Sequence, residues 1–346
     1  MVTAISDIRI VPVGEVERRK AMWDLALTRL EEDARAGQQA VAETPAGGQT
    51  GLVVEVSTSL CRVEIDGSVL LCTLRGSLTA ADSGFTNAVA VGDQVIVSPN
   101  GSGQGVVESI QPRRRVLARP DVFLPHRQQV LVANADQLLA VTSWAEPAFW
   151  PELLDRYLIA AERHGLLALI CLNKVDLAAS LDECRATLEP YRRLGYPVIF
   201  SSTLTGLGVA ELRSALAGHL TVLAGLSGVG KSSLLKSIQP SLPLRIAAVS
   251  GRHHEGRHTT TQASLIQLQD GVVVDTPGIR EFGLSGLAPS ELSAYYPELA
   301  SVGPCRFPNC THMHEPDCAV RVAVGQGRIS RMRYESYVKI RESLGE

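Results

Sequence analysis

The sequence predicts a multi-domain chain: a small N-terminal β-barrel of OB type, a central α/β domain on a parallel sheet, and a mainly helical C-terminal domain carrying a Cys/His cluster. Three observations carry this. Between Gly51 and about Pro120, short alternating apolar runs (LVVEV, LCRVEI, VLLCTL, QVIVSP) are separated by turn signals, the spacing of a small barrel. From about residue 121, buried strands alternate with helices, the rhythm of a parallel sheet covered on both faces. Near the C-terminus, Cys305, Cys310, His312 and Cys318 fall close together.

The bulk numbers agree. At roughly 100–200 residues per domain, 346 residues suggest two or three domains. Hydrophobic residues at 45% and charged residues at 20% describe a globular chain able to build cores. A net charge of -3 rules out a uniformly basic nucleic-acid binder, so any RNA contact must rest on local patches. No apolar run approaches the roughly 18 residues of a membrane span, and the N-terminus (MVTAISDIRI) lacks the basic-then-apolar pattern of a signal peptide. A cytoplasmic protein without a membrane partner is expected. The odd number of cysteines, seven, fits that compartment.

Element by element, residues 15–36 place Trp23, Ala26, Leu27 and Leu30 at helical spacing, with Gly37 after them as a cap. With the linker QQAVAETPAGG they form an N-terminal extension over 1–47. The barrel is expected over 48–120, with turns at Asp66-Gly67, Ser83-Gly84, Gly92-Asp93 and Asn100–Gly103. The α/β domain is expected over 121–288. Its strands are QLLAVTS, LLALICLNK, PVIFSS, LTVLAGL and GVVVDTPG, and PELLDRYLIAAERHG is a helix with Pro in its first turn and Gly at its end. The C-terminal domain is expected over 289–346.

Gly225, Leu226, Ser227, Gly228, Val229, Gly230, Lys231 and Ser232 match G-x-x-x-x-G-K-[ST], and Ser233 continues into a helix. A strand leads in and a helix leads out, as phosphate binding requires. Glycines let backbone N–H groups turn toward a phosphate at the positive end of a helix. Lys231 is expected to reach the β- and γ-phosphates, and Ser232 to ligate Mg²⁺. Asp275, at the end of the strand GVVV, is placed to hold the same Mg²⁺, and Gly278 to meet the γ-phosphate through its N–H. Thr259, Thr260 and Thr261 lie between the two motifs, where a switch loop belongs, and Thr260 is the candidate to complete the Mg²⁺ shell.

Asn173-Lys174-Val175-Asp176 ends another buried strand. The Asp176 carboxylate can accept from guanine N1–H and the N2 amine, which adenine cannot offer, and the Lys174 stem can lie over the base. A site built on such bonds rejects the wrong base strongly. Ser202 and Thr203 follow the next strand, where a backbone N–H can meet guanine O6. Taken together, these motifs imply a P-loop GTPase domain, and their order is unusual. The base-reading motifs (173–176, 201–203) precede the phosphate and switch motifs (225–278), so the domain is circularly permuted, as a closed core with adjacent termini allows.

Cys305-x4-Cys310-x-His312-x5-Cys318 supplies three thiolates and an imidazole, a closed set suited to one structural Zn²⁺, with His314 as an alternative ligand.

With these residues in hand, the chain resembles the RsgA (YjeQ/YloQ) family of circularly permuted GTPases that depend on the small ribosomal subunit. The resemblance spans about residues 48–346 and includes CTLRG, VGDQV, RRRVLARP, ANADQLLAV, NKVD, TGLG, LSGVGKSS, GRHTTT, DTPG and CRFPNCTHMHEPDCAV. It implies an OB barrel, a permuted GTPase domain and a zinc domain. It also implies a monomer that binds the 30S subunit through 16S rRNA, assists its late maturation, and cycles between GTP and GDP with stimulation by that subunit. Residues 1–47 lie outside it, and Leu226, Lys236 and Thr203 stand where the family often has Gln, Asn and Ala. Ile279 follows DTPG and cannot orient a water. His258, in the GRHTTT stretch, is therefore the candidate to position one, with an RNA-facing loop histidine as the alternative. Arg113–Arg115 are either RNA-phosphate contacts or part of a barrel edge.

Overall fold

A computed structural model describes residues 48–57, 60–78, 85–121, 127–242, 264–275, 284 and 286–345. The N-terminal helix predicted over 15–36 lies outside them.

The first five strands are β1 (Gln49–Val56), β2 (Leu60–Ile65), β3 (Ser68–Leu74), β4 (Gln94–Pro99) and β5 (Gln104–Ile110). β1 pairs antiparallel with both β2 and β4, β2 with β3, and β4 with β5, while β3 runs parallel to β5. The ring is closed, as the barrel reading expected, so no edge is left open. Alternation does the work: Val53, Cys61, Val63, Cys72, Val95, Val97 and Val107 point inward and are buried, while Leu60, Val69 and Leu71 face out. The β2–β3 hairpin turns on Asp66 (φ 49°) and Gly67 (φ 79°), the paired left-handed conformations of a two-residue turn whose twist matches its strands.

Two further strands, β6 (Val116–Pro120) and β7 (Gln128–Ala133), pair antiparallel as a ribbon that the sequence periodicity does not announce. The ribbon straddles the expected boundary near residue 120. Next to it the barrel is bolted down. Arg113 donates from Nε to Asp93 Oδ1 at 2.7 Å and from Nη2 to Oδ2 at 2.8 Å, with its guanidinium over the Phe85 ring. Asn134 accepts from the Arg114 N–H at 2.8 Å and donates to the Gly92 carbonyl at 3.0 Å. Gly92 has φ 90°, and a side chain there would strike the Ala133 carbonyl. Arg115 faces Asp136 at 3.9 Å. Of the basic run, Arg113 and Arg115 are thus committed inward and only Arg114 is exposed.

The central sheet contains β8 (Gln137–Ser143), β9 (Leu167–Asn173), β10 (Val198–Phe200), β11 (Leu220–Ala224), β12 (Ser264–Gln267) and β13 (Val272–Asp275), in the order β10-β9-β8-β11-β13-β12. All neighbours are parallel except β12, which is antiparallel to β13. Every residue of β9 is buried, as its continuous apolar run requires. Helices α1 (Pro151–Arg163), α2 (Leu181–Arg193), α3 (Val209–Leu216) and α4 (Lys231–Ile238) cover the sheet. α1 begins on Pro151 and ends before Gly165 at φ 65°, the Pro-first, Gly-last pattern read from sequence.

The C-terminal region is less helical than expected: α5 (Pro297–Ala300) and α6 (Ala319–Gly325) are short, and α7 (Arg331–Leu344) is its one long helix among the described residues. The chain between α5 and α6 is irregular and carries the Cys/His loop. The core of this region gathers Leu284, Leu292, Tyr296, Val320, Tyr337 and Ile340 together with Ile159 of α1. No helix among the described residues is long and apolar enough to cross a membrane.

Candidate nucleotide site and metal-binding loop

The phosphate loop joins β11 to α4. Gly225 (φ 153°) packs so closely on the Val141 carbonyl that a side chain would collide with it, and Gly230 (φ 98°) lies equally close to the Asn173 amide. Lys231 Nζ donates back across the loop to the Gly225 carbonyl at 2.8 Å and the Leu226 carbonyl at 2.9 Å. Gly230 is the N-cap of α4 and no side chain caps it, so the first N–H groups of the helix are available to an anion. Ser232 and Ser233 sit half-buried in that first turn, Val229 is buried, Ser227 is exposed, and Leu226 and Gly228 are half-buried. Asp275 ends β13 in register with Leu223, two residues before the loop begins.

The base-reading strand is tied to this loop. Asn173, at the end of β9, is buried; its amide donates to the Val229 carbonyl at 2.8 Å and its oxygen accepts from Ser201 Oγ at 3.1 Å. Ser201 in turn lies 3.1 Å from the Cys171 thiol. Asn173 is thereby placed to hold the phosphate loop. Lys174 has a left-handed backbone (φ 59°) and its ammonium reaches the Glu146 carbonyl. Asp176 follows in a short 3₁₀ turn with its carboxylate exposed. Ser202 is buried and its hydroxyl accepts from the Thr205 N–H at 3.2 Å, while Thr203 is half-exposed beside it. The neighbouring Gly208 (φ 70°) packs on the Phe200 carbonyl. The structure thus gathers Asn173, Lys174, Asp176, Ser202, Thr203 and residues 225–233, with Asp275, at the carboxyl ends of the parallel strands, where open α/β sheets bind ligands. His258, Thr260 and Gly278 lie outside the described residues. The Glu146 carbonyl belongs to the site but carries no sequence signal, since it is a backbone atom; Ser201 lies in the 201–203 motif, but its bond to Asn173 could not be read from spacing.

The Cys/His loop brings Cys305, Cys310, His312 and Cys318 together, with their donor atoms within 4.8 Å of one another. Cys305 Sγ and Cys318 Sγ each lie 3.5 Å from His312 Nδ1 and 3.8 Å from each other. Ligands about 2.0–2.3 Å from one tetrahedral ion are separated by about 3.5–3.8 Å, so the group fits a metal ion. His314 is exposed and outside the cluster. Backbone geometry is arranged around it: the Glu315 carboxylate accepts the N–H groups of Thr311 (2.6 Å), Met313 (3.2 Å) and His314 (3.3 Å). Burial alone would raise this carboxyl, but the bonds around it hold it well below the usual range. Burial would likewise raise the Cys305 thiol, yet the N–H groups of Ala319 and Val320 at the start of α6 draw it below its ordinary value. From α7, Tyr334 and Tyr337 donate to the carbonyls of His312 (2.8 Å) and Thr311 (3.0 Å).

A phosphate loop whose NKVD strand comes earlier in the chain than its phosphate strand defines a circularly permuted P-loop GTPase. Residues 110–285 match the RsgA GTPase family, and the chain belongs to it; it is a GTP hydrolase. It is 39% identical over 295 residues to the small ribosomal subunit biogenesis GTPase RsgA of Thermotoga petrophila, an alignment spanning 84% of this chain and 95% of that one. With the protein of the same name from Moorella thermoacetica it shares 43% identity over 278 residues, 80% of this chain and 90% of that one. Among solved structures it resembles YjeQ from Thermotoga maritima (TM-score 0.69, 35% identity, 86% of this chain and 98% of that one). It also resembles YloQ, a circularly permuted GTPase (TM-score 0.64, 28% identity, 88% and 98%).

Proposed function

We propose that this GTPase binds the small ribosomal subunit as a monomer in the cytoplasm, contacts 16S rRNA, and assists late subunit maturation, hydrolysing GTP to GDP and phosphate with stimulation by the subunit. The observation that carries the reading is the permuted site on a four-part chain that nearly spans the whole length of relatives named for small ribosomal subunit biogenesis. Its parts are the extension 1–47, the barrel 48–120, the GTPase domain 121–288 and the metal-binding domain 289–346.

In this reading Lys231 neutralises the β- and γ-phosphates while the backbone of 225–233 wraps them. Asp176 selects guanine, Lys174 covers it, and the backbone at Ser202 and Thr203 meets its O6. Asn173 keeps the loop in place for both. Ser232, Thr260 and Asp275 offer the hard oxygen ligands that Mg²⁺ prefers, and the ion would supply charge neutralisation. Gly278 approaches the γ-phosphate and His258 positions the attacking water. The Cys305, Cys310, His312 and Cys318 set, rich in thiolate and closed, suits one structural Zn²⁺ that would cross-link an irregular loop. Exposed Arg114 is the member of its basic run available to RNA phosphates.

The test is steady-state phosphate release from GTP, alone, with 30S and with 50S subunits. At least tenfold stimulation by 30S alone supports the reading. GTP binding without any stimulation overturns it, and a His258→Ala variant with full stimulated turnover removes that residue from catalysis.

A further inference from the structure

A buried ionic cluster joins the C-terminal region to the nucleotide domain. Arg333 of α7 is 2% exposed and sits between two carboxylates: it ion-pairs with Asp155 of α1 and donates from Nε to Glu298 of α5 at 2.8 Å. Its guanidinium lies 5.0 Å from the Tyr191 ring centroid and 4.3 Å from that of Tyr296. Tyr296 also donates to Asp155 Oδ2 at 3.2 Å. Arg333 therefore touches α1, α2 and the C-terminal core at once.

Both flanks of the cluster lead to functional elements. On α7, Tyr334 and Tyr337, next to Arg333, hold the carbonyls of the Cys/His loop. On α1, Leu153, Leu154 and Tyr157, next to Asp155, line a crevice together with Leu226 and Val229 of the phosphate loop and residues of β8 and the loop that follows it. Val229 is also the residue whose carbonyl Asn173 holds. A buried ion cluster is no better for stability than apolar packing of equal volume, but its forked geometry fixes one relative placement of the helices it joins.

We propose that Arg333 is a positioning residue for the nucleotide site: it sets α1 behind the phosphate loop, so that displacement of the C-terminal region is felt as looser nucleotide binding. The proposal rests on the phosphate-loop reading above. It gives a partner bound to the metal-binding region a route to the nucleotide that needs no contact with the nucleotide itself.

The experiment measures dissociation of a fluorescent GDP analogue by stopped flow from the full chain, well below its unfolding temperature. The parent is compared with Arg333→Met, Arg333→Lys and Glu298→Gln, with zinc content and thermal midpoint recorded for each. The expected result is release at least fivefold faster for both Arg333 variants at unchanged zinc content. A lowered midpoint with release within twofold of the parent overturns the coupling and leaves Arg333 a packing residue. Should neither Arg333 variant fold, Glu298→Gln decides: twofold or greater acceleration supports the proposal, and an unchanged rate overturns it. A Lys231→Ala control separates the two readings. If the parent binds GDP and Lys231→Ala does not, unaltered Glu298 and Arg333 variants sink the coupling alone; a parent that binds no GDP sinks both.

Discussion

Asn173→Ala removes the side chain that ties the base-side strand to the phosphate loop, and it is expected to weaken nucleotide binding through the loop. Two hydrogen bonds go: the amide to the Val229 carbonyl at 2.8 Å and the one accepted from Ser201 Oγ at 3.1 Å. Each is worth about 1 kcal/mol net, and a buried partner left unsatisfied costs about 1–3 kcal/mol more. Ser201 keeps a contact with the Cys171 thiol, so the larger penalty falls on the phosphate loop. The total is about 3–5 kcal/mol, shared between stability and affinity. If half appears in binding, GDP affinity falls at least tenfold, since about 1.4 kcal/mol is a factor of ten. Asn173→Asp should be worse than Asn173→Ala, because it sets a carboxylate against the Val229 carbonyl where a donor stood. Calorimetric titration with GDP, paired with urea unfolding, measures both shares. If both variants bind GDP within twofold of the parent and unfold at the parent's midpoint, the idea that this side chain supports the loop is wrong.

Other perturbations follow from the same geometry. Gly230→Ala places a side chain at φ 98° against the Asn173 amide; equilibrium binding of GDP should fall by at least tenfold, with little change in far-UV circular dichroism. Arg113→Ala strands the fully buried Asp93 carboxylate and should cost about 3–5 kcal/mol in denaturant unfolding. Asp93→Asn with Arg113→Gln should recover part of it. Burial pushes the Cys61 and Cys171 thiols up to about 12, leaving roughly one in ten thousand ionised at pH 8. A thiol reagent at that pH should therefore label the metal-loaded chain slowly everywhere, and a chelator should expose Cys305, Cys310 and Cys318 while Cys61, Cys72, Cys171 and Cys184 stay protected. Glu315→Gln, which weakens three N–H bonds across the loop, should lower the loop's metal affinity about tenfold in a chelator competition, with Zn²⁺ as the probe.

What could be read from the sequence is what lies along the chain. The phosphate loop, NKVD and the Cys/His set are contiguous, so spacing alone assigns their chemistry, and the closed barrel follows from alternation and the Asp66-Gly67 turn. What could not be read depends on partners far away in sequence. Arg113 looks like one of three equivalent surface arginines until Asp93 is found against it. Arg333 looks like an exposed helix charge until α7 is laid on α1, whose Asp155 is 178 positions earlier. The β6–β7 ribbon escaped because its alternation is broken by arginines and glutamines and by a register shift between Leu117 and Ala118. The C-terminal region was expected to be mainly helical, but its metal-binding loop is held by Glu315, Tyr334 and Tyr337 in place of regular structure.

The permuted order has a physical consequence that the strand register makes concrete. β13 carries Asp275 beside the phosphate strand, and nine residues later Leu284 is already buried in the C-terminal core with Ile159 of α1. In the unpermuted order the chain after this strand would continue into the rest of the nucleotide domain. Here it continues into the metal-binding region, and that region returns through Arg333 to the helix lining the phosphate loop. The C-terminal region is thus joined to the nucleotide domain covalently through the segment after Asp275 and non-covalently where α7 packs on α1, at the Arg333 cluster, the Arg156–Ser343 bond and Ile159. Removing the ionic part of the non-covalent joint, as Arg333→Met does, leaves the covalent link and the apolar packing of α7 on α1 intact, so nucleotide release should accelerate while stimulation by the 30S subunit is reduced but not abolished.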